Sequence, residues 1–258
     1  MPGSVSKAQI RRMIWERLTR QGMATFPGVY GRTPRLPDQA PCIRRLETIP
    51  VWQDAARILV LPDAALEAIQ SRVIEDMKTL VIPDLARVSE DWILEIDPRE
   101  AGIEKSLAAI RQASAEDPEP ARGIRYQRGR DTPAVDLMVI GAVGVNRLGT
   151  RVGRGCGGAD LVYAIGRDRG FLHGDTPVAV VVHPAQIFDE PADREATDLP
   201  VDYIVTAEEV IGIETVVMRP KGLTPCMVTA YRLSCFPGLR RILEREGIPL
   251  PPGACRPA

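Results

Sequence analysis

Hydrophobic and polar positions alternate along the chain in blocks that predict strands and helices in turn. Nearly unbroken apolar runs predict buried strands over residues 56–61, 79–82, 135–145 and 178–182, with shorter ones over 203–206 and 214–218. Apolar residues at helical spacing predict helices over residues 4–21, 64–77, 103–111, 161–169 and 237–246. Strands that alternate with helices favour a parallel sheet covered on both faces, so we expect an α/β fold. The simplest organisation is one domain over residues 1–258, with a frayed tail over 247–258.

A run of glycines and arginines separates the predicted strand 135–145 from the predicted helix 161–169. It contains five glycines and two arginines, from Gly149 to Asp160. Glycines let backbone N–H groups approach a ligand closely, arginines add fixed positive charge, and a helix N-terminus adds a partial positive charge. The run therefore predicts an anion cradle, and Asp160 can hold the metal that accompanies a polyphosphate.

The alternative is that this glycine loop only connects a strand to a helix. It is neither a P-loop nor a clean dinucleotide fingerprint, and glycine-rich turns are common. The two interleaved arginines, Arg151 and Arg154, favour the anion site because a connector has no use for them. Cys156 within the loop is either a reactive thiol or, more in keeping with its neighbours, a small residue that fills space.

Composition narrows the class of protein further. The chain has 258 residues, 45% hydrophobic content and a net charge of −1, so no global field attracts nucleic acid. No apolar run reaches the length of a membrane span, and the N-terminus has no apolar signal core, so we expect a cytoplasmic protein without membrane or nucleic-acid partners. The five cysteines are scattered without C-x-x-C spacing, which disfavours zinc and redox motifs.

Open parallel sheets bind ligands beyond the carboxyl ends of their strands, and we expect several polar clusters to lie at such ends. Besides the glycine loop, these clusters are His183–Gln186 and the segment from Asp198 to Asp202. For His183 alone a structural hydrogen bond is the more common role, and for Asp198 and Asp202 a turn role is. Lys7 and Arg11 lie four residues apart on the first helix, and spacing alone predicts two solvated cations.

An ordered set of motifs resembles the 5-formyltetrahydrofolate cyclo-ligase (methenyltetrahydrofolate synthetase) family. The glycine loop carries the signature Gly149-x-Arg151-x-Gly153-Arg154-Gly155-x-Gly157-x-x-Asp160. Further matches fall in the family's order over about residues 5–220: Lys7-x-x-x-Arg11, Pro62-Asp63, Lys78, Val182-His183, Asp198-x-Pro200-Val201-Asp202 and Val205-Thr206.

The resemblance implies a three-layer α/β/α Rossmann-like fold with a mainly parallel sheet. It implies an enzyme that uses ATP and Mg²⁺ to convert 5-formyltetrahydrofolate into 5,10-methenyltetrahydrofolate, with phosphorylation of the formyl oxygen. By resemblance the catalytic residues are Lys7, Arg151 and Arg154, and Asp160 binds the metal. The nucleotide would be held by Lys7, Arg11, Gly153, Arg154, Gly155, Cys156, Gly157, Gly158 and Asp160. The partner is a small folate-like molecule, bound by a monomer or homodimer, with pterin recognition in the region 26–52 and in the loops after Val182.

Departures from the family pattern leave other functions open. Gly158 and Ala159 stand where the family carries two aromatic residues, and Thr197 stands where it often carries histidine. The chain is then either a cyclo-ligase, an enzyme of the same fold with another heterocyclic substrate, or a non-catalytic nucleotide-binding module. If the site is correctly located, alanine at Arg154 or Asp160 is expected to abolish turnover and leave the fold intact.

Overall fold

The long hydrophobic runs form the strands of one central sheet in the computed structural model. The structure describes residues 4–23, 28–35, 37–89, 91–113, 121–214 and 217–246, so the predicted tail 247–258 lies outside it. The helices are α1 (Lys7–Arg20), α2 (Ala40–Leu46), α3 (Pro50–Asp54), α4 (Glu67–Glu75), α5 (Pro98–Ala101), α6 (Ile103–Ala113), α7 (Gly158–Arg169), α8 (Ala230–Cys235) and α9 (Pro237–Glu246). The strands are β1 (Arg57–Val60), β2 (Thr79–Pro83), β3 (Ile93–Ile96), β4 (Ile124–Gln127), β5 (Leu137–Gly141), β6 (Gly144–Asn146), β7 (Arg151–Val152), β8 (Val178–Val181), β9 (Ile187–Phe188), β10 (Tyr203–Val205) and β11 (Val210–Gly212).

Eight strands make the central sheet, in the order β11-β10-β8-β5-β1-β2-β3-β4. The five middle strands, from β10 to β2, are parallel, whereas β11 at one end and β3 and β4 at the other are antiparallel. The chain moves in one direction from β1 through α4 to β2, and in the opposite direction from β5 through α7 to β8. Right-handed crossovers therefore place α4 and α7 on opposite faces of the sheet. The predicted α/β fold with a mainly parallel sheet is confirmed.

Several predicted elements need correction. The apolar run 135–145 is two strands, because the chain leaves the central sheet after Gly141 and β6 enters a separate small sheet, ordered β7-β6-β9. The amide of Gln186 caps this break by donating to the carbonyls of Ala142 and Val143 at 2.7 and 3.2 Å. The residues on both sides of the break are buried and apolar, so the hydrophobic pattern alone does not predict where the first strand ends.

The strands at the two opposite edges of the central sheet, β11 and β4, also differ from the prediction. The strand expected over 214–218 is wrong, since β11 comes earlier and the described residues 214, 217 and 218 lie outside any strand. The charged segment 114–132, expected as an exposed excursion, contributes β4, which pairs with β3. Both edge strands are antiparallel, and the alternation of strand with helix gives no signal for them.

Helix α1 packs on the small sheet rather than on the central one. Its stripe of Ile10, Ile14 and Leu18 is buried with Val152 of β7 and Phe188 of β9. A capping box begins the helix: the Ser6 hydroxyl accepts from the Gln9 N–H, and the Gln9 side chain accepts from the Ser6 N–H. This anchoring fixes the edge of α1 that carries Lys7 and Arg11.

The described ranges contain no candidate transmembrane helix. None of the helices there combines the length and the apolarity that a transmembrane helix needs.

Candidate functional site

A cavity of about 590 Å³ opens where the direction of winding reverses, between the carboxyl ends of β1 and β5. Leu61 and Asp63, which follow β1, line it together with Gly141 at the end of β5. In open α/β sheets this reversal leaves a crevice that binds ligands. Gly141 has no room for a side chain, because a Cβ there would lie 2.6 Å from the Thr33 methyl carbon. Thr33 thereby brings the predicted loop 25–41 to the cavity, although residues 25–27 and 36 lie outside the described structure.

The glycine loop forms one wall of this cavity. Gly153, Gly155, Gly157 and Gly158 all line it, and α7 begins at Gly158, three residues before the predicted start. Gly155 and Gly157 have φ angles of 121° and 70°, values that favour glycine. The N-terminus of α7 therefore faces the cavity with its unpaired backbone N–H groups, as an anion site requires.

Lys7 and Arg11 of α1 reach this wall. The Lys7 ammonium lies 2.6 Å from the Asp198 carboxylate, and Arg11 donates through Nε to the Gly153 carbonyl at 2.9 Å. Burial lowers the pKa of Arg11, and nearby Tyr231 and Cys156 oppose this effect. The solvated role that spacing alone favours for Lys7 and Arg11 is therefore wrong: α1 directs both side chains at the cavity.

Arg151 and Asp160 form an ion pair at the base of the glycine loop. Only 7% of Arg151 and 6% of Asp160 is exposed, and Asp160 Oδ1 also accepts from the Leu199 N–H at 2.9 Å. Asp160 Oδ2 has no hydrogen bond to any described residue, which leaves one carboxylate oxygen for a metal. The expectation that Asp160→Ala leaves the fold intact conflicts with this pairing, because the substitution would leave Arg151 buried without a counter-charge.

Arg154 is the exposed cation of the loop. Its guanidinium makes no hydrogen bond or ion pair within the described residues, yet it lies close enough to Asp63 to lower the pKa of that carboxyl. Burial of Asp63 has the larger and opposite effect and raises its pKa, while a hydrogen bond from Thr33 at 3.4 Å opposes it. A free guanidinium and a poorly solvated carboxyl therefore face each other across the cavity.

The opposite end of the cavity is largely apolar. Side chains from β2, the segment after it, β3, β4 and α6 line it: Ile82, Leu85, Leu94, Ile110 and Tyr126. A molecule with an anionic part and a flat or apolar part matches this division, since ligand sites combine an apolar lining with a few polar anchors.

Other residues singled out in the sequence lie away from the cavity. His183 Nδ1 accepts from the Ala185 N–H at 3.0 Å, which confirms the structural role, and burial lowers the pKa of this imidazole. Asp202 pairs with Arg219 and accepts from the Val178 N–H at 2.7 Å. Trp52, within the region expected to recognise a pterin, is buried and donates to Asp76 at 3.0 Å.

Helix α8 and the residue that follows it contribute to the cavity without any signal in the sequence pattern. Arg232, Cys235 and Phe236 line the cavity beside the glycine loop. Cys156 of the loop approaches α8, with its Sγ 3.7 Å from the Tyr231 hydroxyl. No motif marks these residues, because α8 is short and far along the chain from the loop that it contacts.

The fold and cavity together define an α/β protein with a cationic, glycine-lined site at the reversal of its sheet. Magnesium fits this site only as an ion shared with a ligand: no group of three or more His, Cys, Asp or Glu that could hold a metal occurs in the described part of the chain. One carboxylate with phosphate and water oxygens is a usual arrangement for Mg²⁺, and Asp160 Oδ2 satisfies that requirement.

Comparison with known proteins identifies the family. The profile of the 5-formyltetrahydrofolate cyclo-ligase family matches residues 4–207, and the chain belongs to this family. It is similar to the methenyltetrahydrofolate synthase domain-containing proteins of Mus musculus (34% identity over 245 residues, 94% of this chain and 64% of the relative) and Bos taurus (32% over 266 residues, 98% and 68%). The chain thus spans less than two thirds of the length of the mouse relative.

Two solved structures are similar to the chain as well. One is the NMR structure of 5,10-methenyltetrahydrofolate synthetase from Aquifex aeolicus, with 18% identity, a TM-score of 0.49 and coverage of 82% of this chain and 94% of that one. The other is a 5,10-methenyltetrahydrofolate synthetase from Mycoplasma pneumoniae, with 14% identity, a TM-score of 0.43 and coverage of 81% and 99%.

Proposed function

We propose that this chain uses ATP and Mg²⁺ to convert 5-formyltetrahydrofolate into 5,10-methenyltetrahydrofolate. Membership in the cyclo-ligase family supports a ligase-type reaction on a folate. The observation that carries the proposal is the meeting of the glycine loop and its cations in a cavity of about 590 Å³ with an apolar far end. That volume is within the range of small-molecule sites.

Lys7, Arg151 and Arg154 are the residues that we assign to phosphoryl transfer. Such a reaction needs positioning and charge neutralisation more than covalent chemistry from the protein. In the proposed reaction the formyl oxygen takes the terminal phosphoryl group of ATP, and ADP leaves. The N10 nitrogen then attacks the activated carbon and gives up its proton, and the phosphorylated oxygen leaves as phosphate. Arg154 has no competing partner in the described structure, so it is the guanidinium most available to the transferred group.

The remaining loop residues would hold the nucleotide. Backbone N–H groups from Gly153, Gly155, Cys156, Gly157 and Gly158 would face its phosphates, and Arg11 would support the loop through the Gly153 carbonyl. Asp160 would bind Mg²⁺ through Oδ2, and a bound Mg²⁺ neutralises charge on phosphate oxygens. Arg151 would hold the Asp160 carboxylate in place.

A spectrophotometric assay tests the proposal, because the methenyl product absorbs in the near ultraviolet. Product is expected only when ATP, Mg²⁺ and 5-formyltetrahydrofolate are all present. Arg154→Ala should lower turnover by about 100-fold or more, as loss of a charge-stabilising donor does. The exposed Arg44, outside the cavity, supplies the matched control Arg44→Ala. Product formation without ATP, or full activity of Arg154→Ala, would contradict the proposal.

Another heterocyclic substrate is the second candidate, and one contact favours it. Gly158 stands where the family pattern has an aromatic residue. Here the ring of Phe236, from the C-terminal segment, packs against this glycine. The shape of the proposed substrate pocket beside Gly158 therefore differs from the one that the family pattern implies. ATP hydrolysis stimulated by a metabolite other than 5-formyltetrahydrofolate would support this candidate. Absence of turnover together with a melting-temperature increase with ATP or ADP would favour a non-catalytic nucleotide-binding module.

A further inference from the structure

We propose that Arg232 binds the anion held by the glycine loop, so that the C-terminal segment beyond residue 207 completes the site. The family profile ends at residue 207, and Arg232 lies on α8, well past that end. The inference rests on the proposed function for the identity of the anion, a nucleoside triphosphate. It does not depend on the chemical reaction that follows binding.

Close packing joins α8 and the residue after it to the glycine loop. A Cβ on Gly157 would lie 2.6 Å from Arg232 Nη2, and a Cβ on Gly158 would lie 2.9 Å from Phe236 Cζ. No residue with a side chain fits at either position without displacing these groups. The two glycines thus leave the space in which Arg232 and Phe236 stand, and the loop and α8 are complementary surfaces.

The guanidinium of Arg232 is held in place by one hydrogen bond, and N–H groups on its other nitrogen atoms remain available to a ligand. The Thr229 hydroxyl accepts from the Arg232 N–H at 3.1 Å and begins α8, while Arg232 Nη1 donates to the Met227 carbonyl at 2.9 Å. An arginine side chain carries five N–H donors. Arg232 makes no other side-chain hydrogen bond to a described residue, so Nε and Nη2 remain available beside Gly157.

Charge around the loop points to an anionic ligand. Arg11 approaches Gly155, its Cζ lying 3.7 Å from where a Cβ would stand, so Arg11, Arg154 and Arg232 bring three guanidinium groups to the loop from three parts of the chain. None of the three forms an ion pair with a carboxylate in the described structure. Like charges gathered without an ion-pair contact repel, and a polyphosphate would reduce that repulsion.

Binding measurements on the full chain test this inference with two probes, ATP with Mg²⁺ and inorganic pyrophosphate. Arg232→Gln should weaken the binding of both by about tenfold, the loss expected for one charge-assisted contact. Arg232→Lys keeps the charge but loses the planar fork, so its affinity should fall between those of the wild type and Arg232→Gln. Arg44→Gln removes an exposed cation outside the cavity and should bind like the wild type.

The decisive comparison is between the wild type and the two Arg232 variants. Wild-type affinity in both variants overturns the inference, and if Arg232→Gln does not fold, wild-type affinity in Arg232→Lys alone overturns it. Weakened binding by the variants, in a protein that forms no methenyl product, supports Arg232 while the proposed function fails. Product formation by an Arg232→Gln protein that binds both probes with wild-type affinity overturns the inference and leaves the proposed function standing. A wild-type protein that binds neither probe overturns both.

Discussion

At the scale of single residues, the ion pair between Arg151 and Asp160 sets the effect of substitutions at the base of the loop. Asp160→Ala should lower the free energy of unfolding by about 3–5 kcal/mol, because it leaves Arg151 buried without a counter-charge and the Leu199 N–H without its acceptor. Arg151→Met combined with Asp160→Leu should be more stable than Asp160→Ala, since no unpaired charge remains. Urea unfolding of the single and double variants measures this coupling, and additive losses would contradict it.

A second residue-scale prediction concerns pH and Asp63. Burial raises the pKa of this carboxyl in the folded protein above its ordinary 3.8. Its contribution to stability is therefore fully present below pH 3.8 and is lost as the pH rises through the raised value. Asp63→Asn should increase the free energy of unfolding at pH 7, and this gain should disappear as the pH falls below about 4. Chemical denaturation across this pH range is the measurement, and a gain that does not change with pH would argue against the burial of a charge.

At the scale of elements, the contact between α7 and the residue that follows α8 reverses the usual effect of a glycine substitution. Gly→Ala in a helix ordinarily stabilises by about 0.5–1 kcal/mol. At Gly158 the new Cβ would meet Phe236 at 2.9 Å, so we expect Gly158→Ala to destabilise by about 1–3 kcal/mol. Thermal unfolding measures the change, and Phe236→Leu should relieve part of it. Gly212→Ala, where the space is open, is the control. Stabilisation by Gly158→Ala would disprove the close packing.

The elements also show what the sequence pattern can and cannot predict. The glycine loop is predictable because its chemistry is local, with Arg151, Arg154 and Asp160 within one strand–loop–helix unit. Gly158 was expected in the loop, since glycine gives no helical signal, yet it begins α7. Arg232 and Phe236 could not be predicted, because their partners lie far away along the chain and α8 is too short for a periodic pattern.

At the scale of the whole molecule, the order of the strands decides where the cavity lies. The parallel centre follows from the alternation of strands and helices, but the reversal between β1 and β5 does not, because hydrophobic patterns carry no information on strand neighbours. The antiparallel pair β3–β4 was missed as well. It matters for the site, since Leu94 of β3 and Tyr126 of β4 line the apolar end of the cavity.

A buried carboxylate fastens this antiparallel extension to the parallel centre. Glu95 of β3 is 1% exposed and pairs with Arg57 of β1 and Arg125 of β4. Burial, followed by repulsion from Arg125, lowers the pKa of Arg57, whereas Asp97 and Asp136 oppose this effect. Glu95 is the carboxylate that pairs with both Arg57 and Arg125. Leu94 and Glu95 point to opposite faces of the strand, which separates this pairing from the cavity while holding the cavity wall in register.

Removal of Glu95 should therefore lower the stability of the antiparallel extension. Glu95→Ala is expected to lower the free energy of unfolding by about 3–5 kcal/mol, because Arg57 loses its partner inside the sheet. Arg125→Ala, at a half-exposed side chain, should cost no more than about 1 kcal/mol. Hydrogen exchange should show the greatest loss of protection in β3 and β4 of Glu95→Ala, with β5 and β8 retained. Equal stability of the two variants would mean that the extension is held by its backbone pairing and apolar contacts alone, and the apolar end of the cavity would then survive loss of the ion pairs.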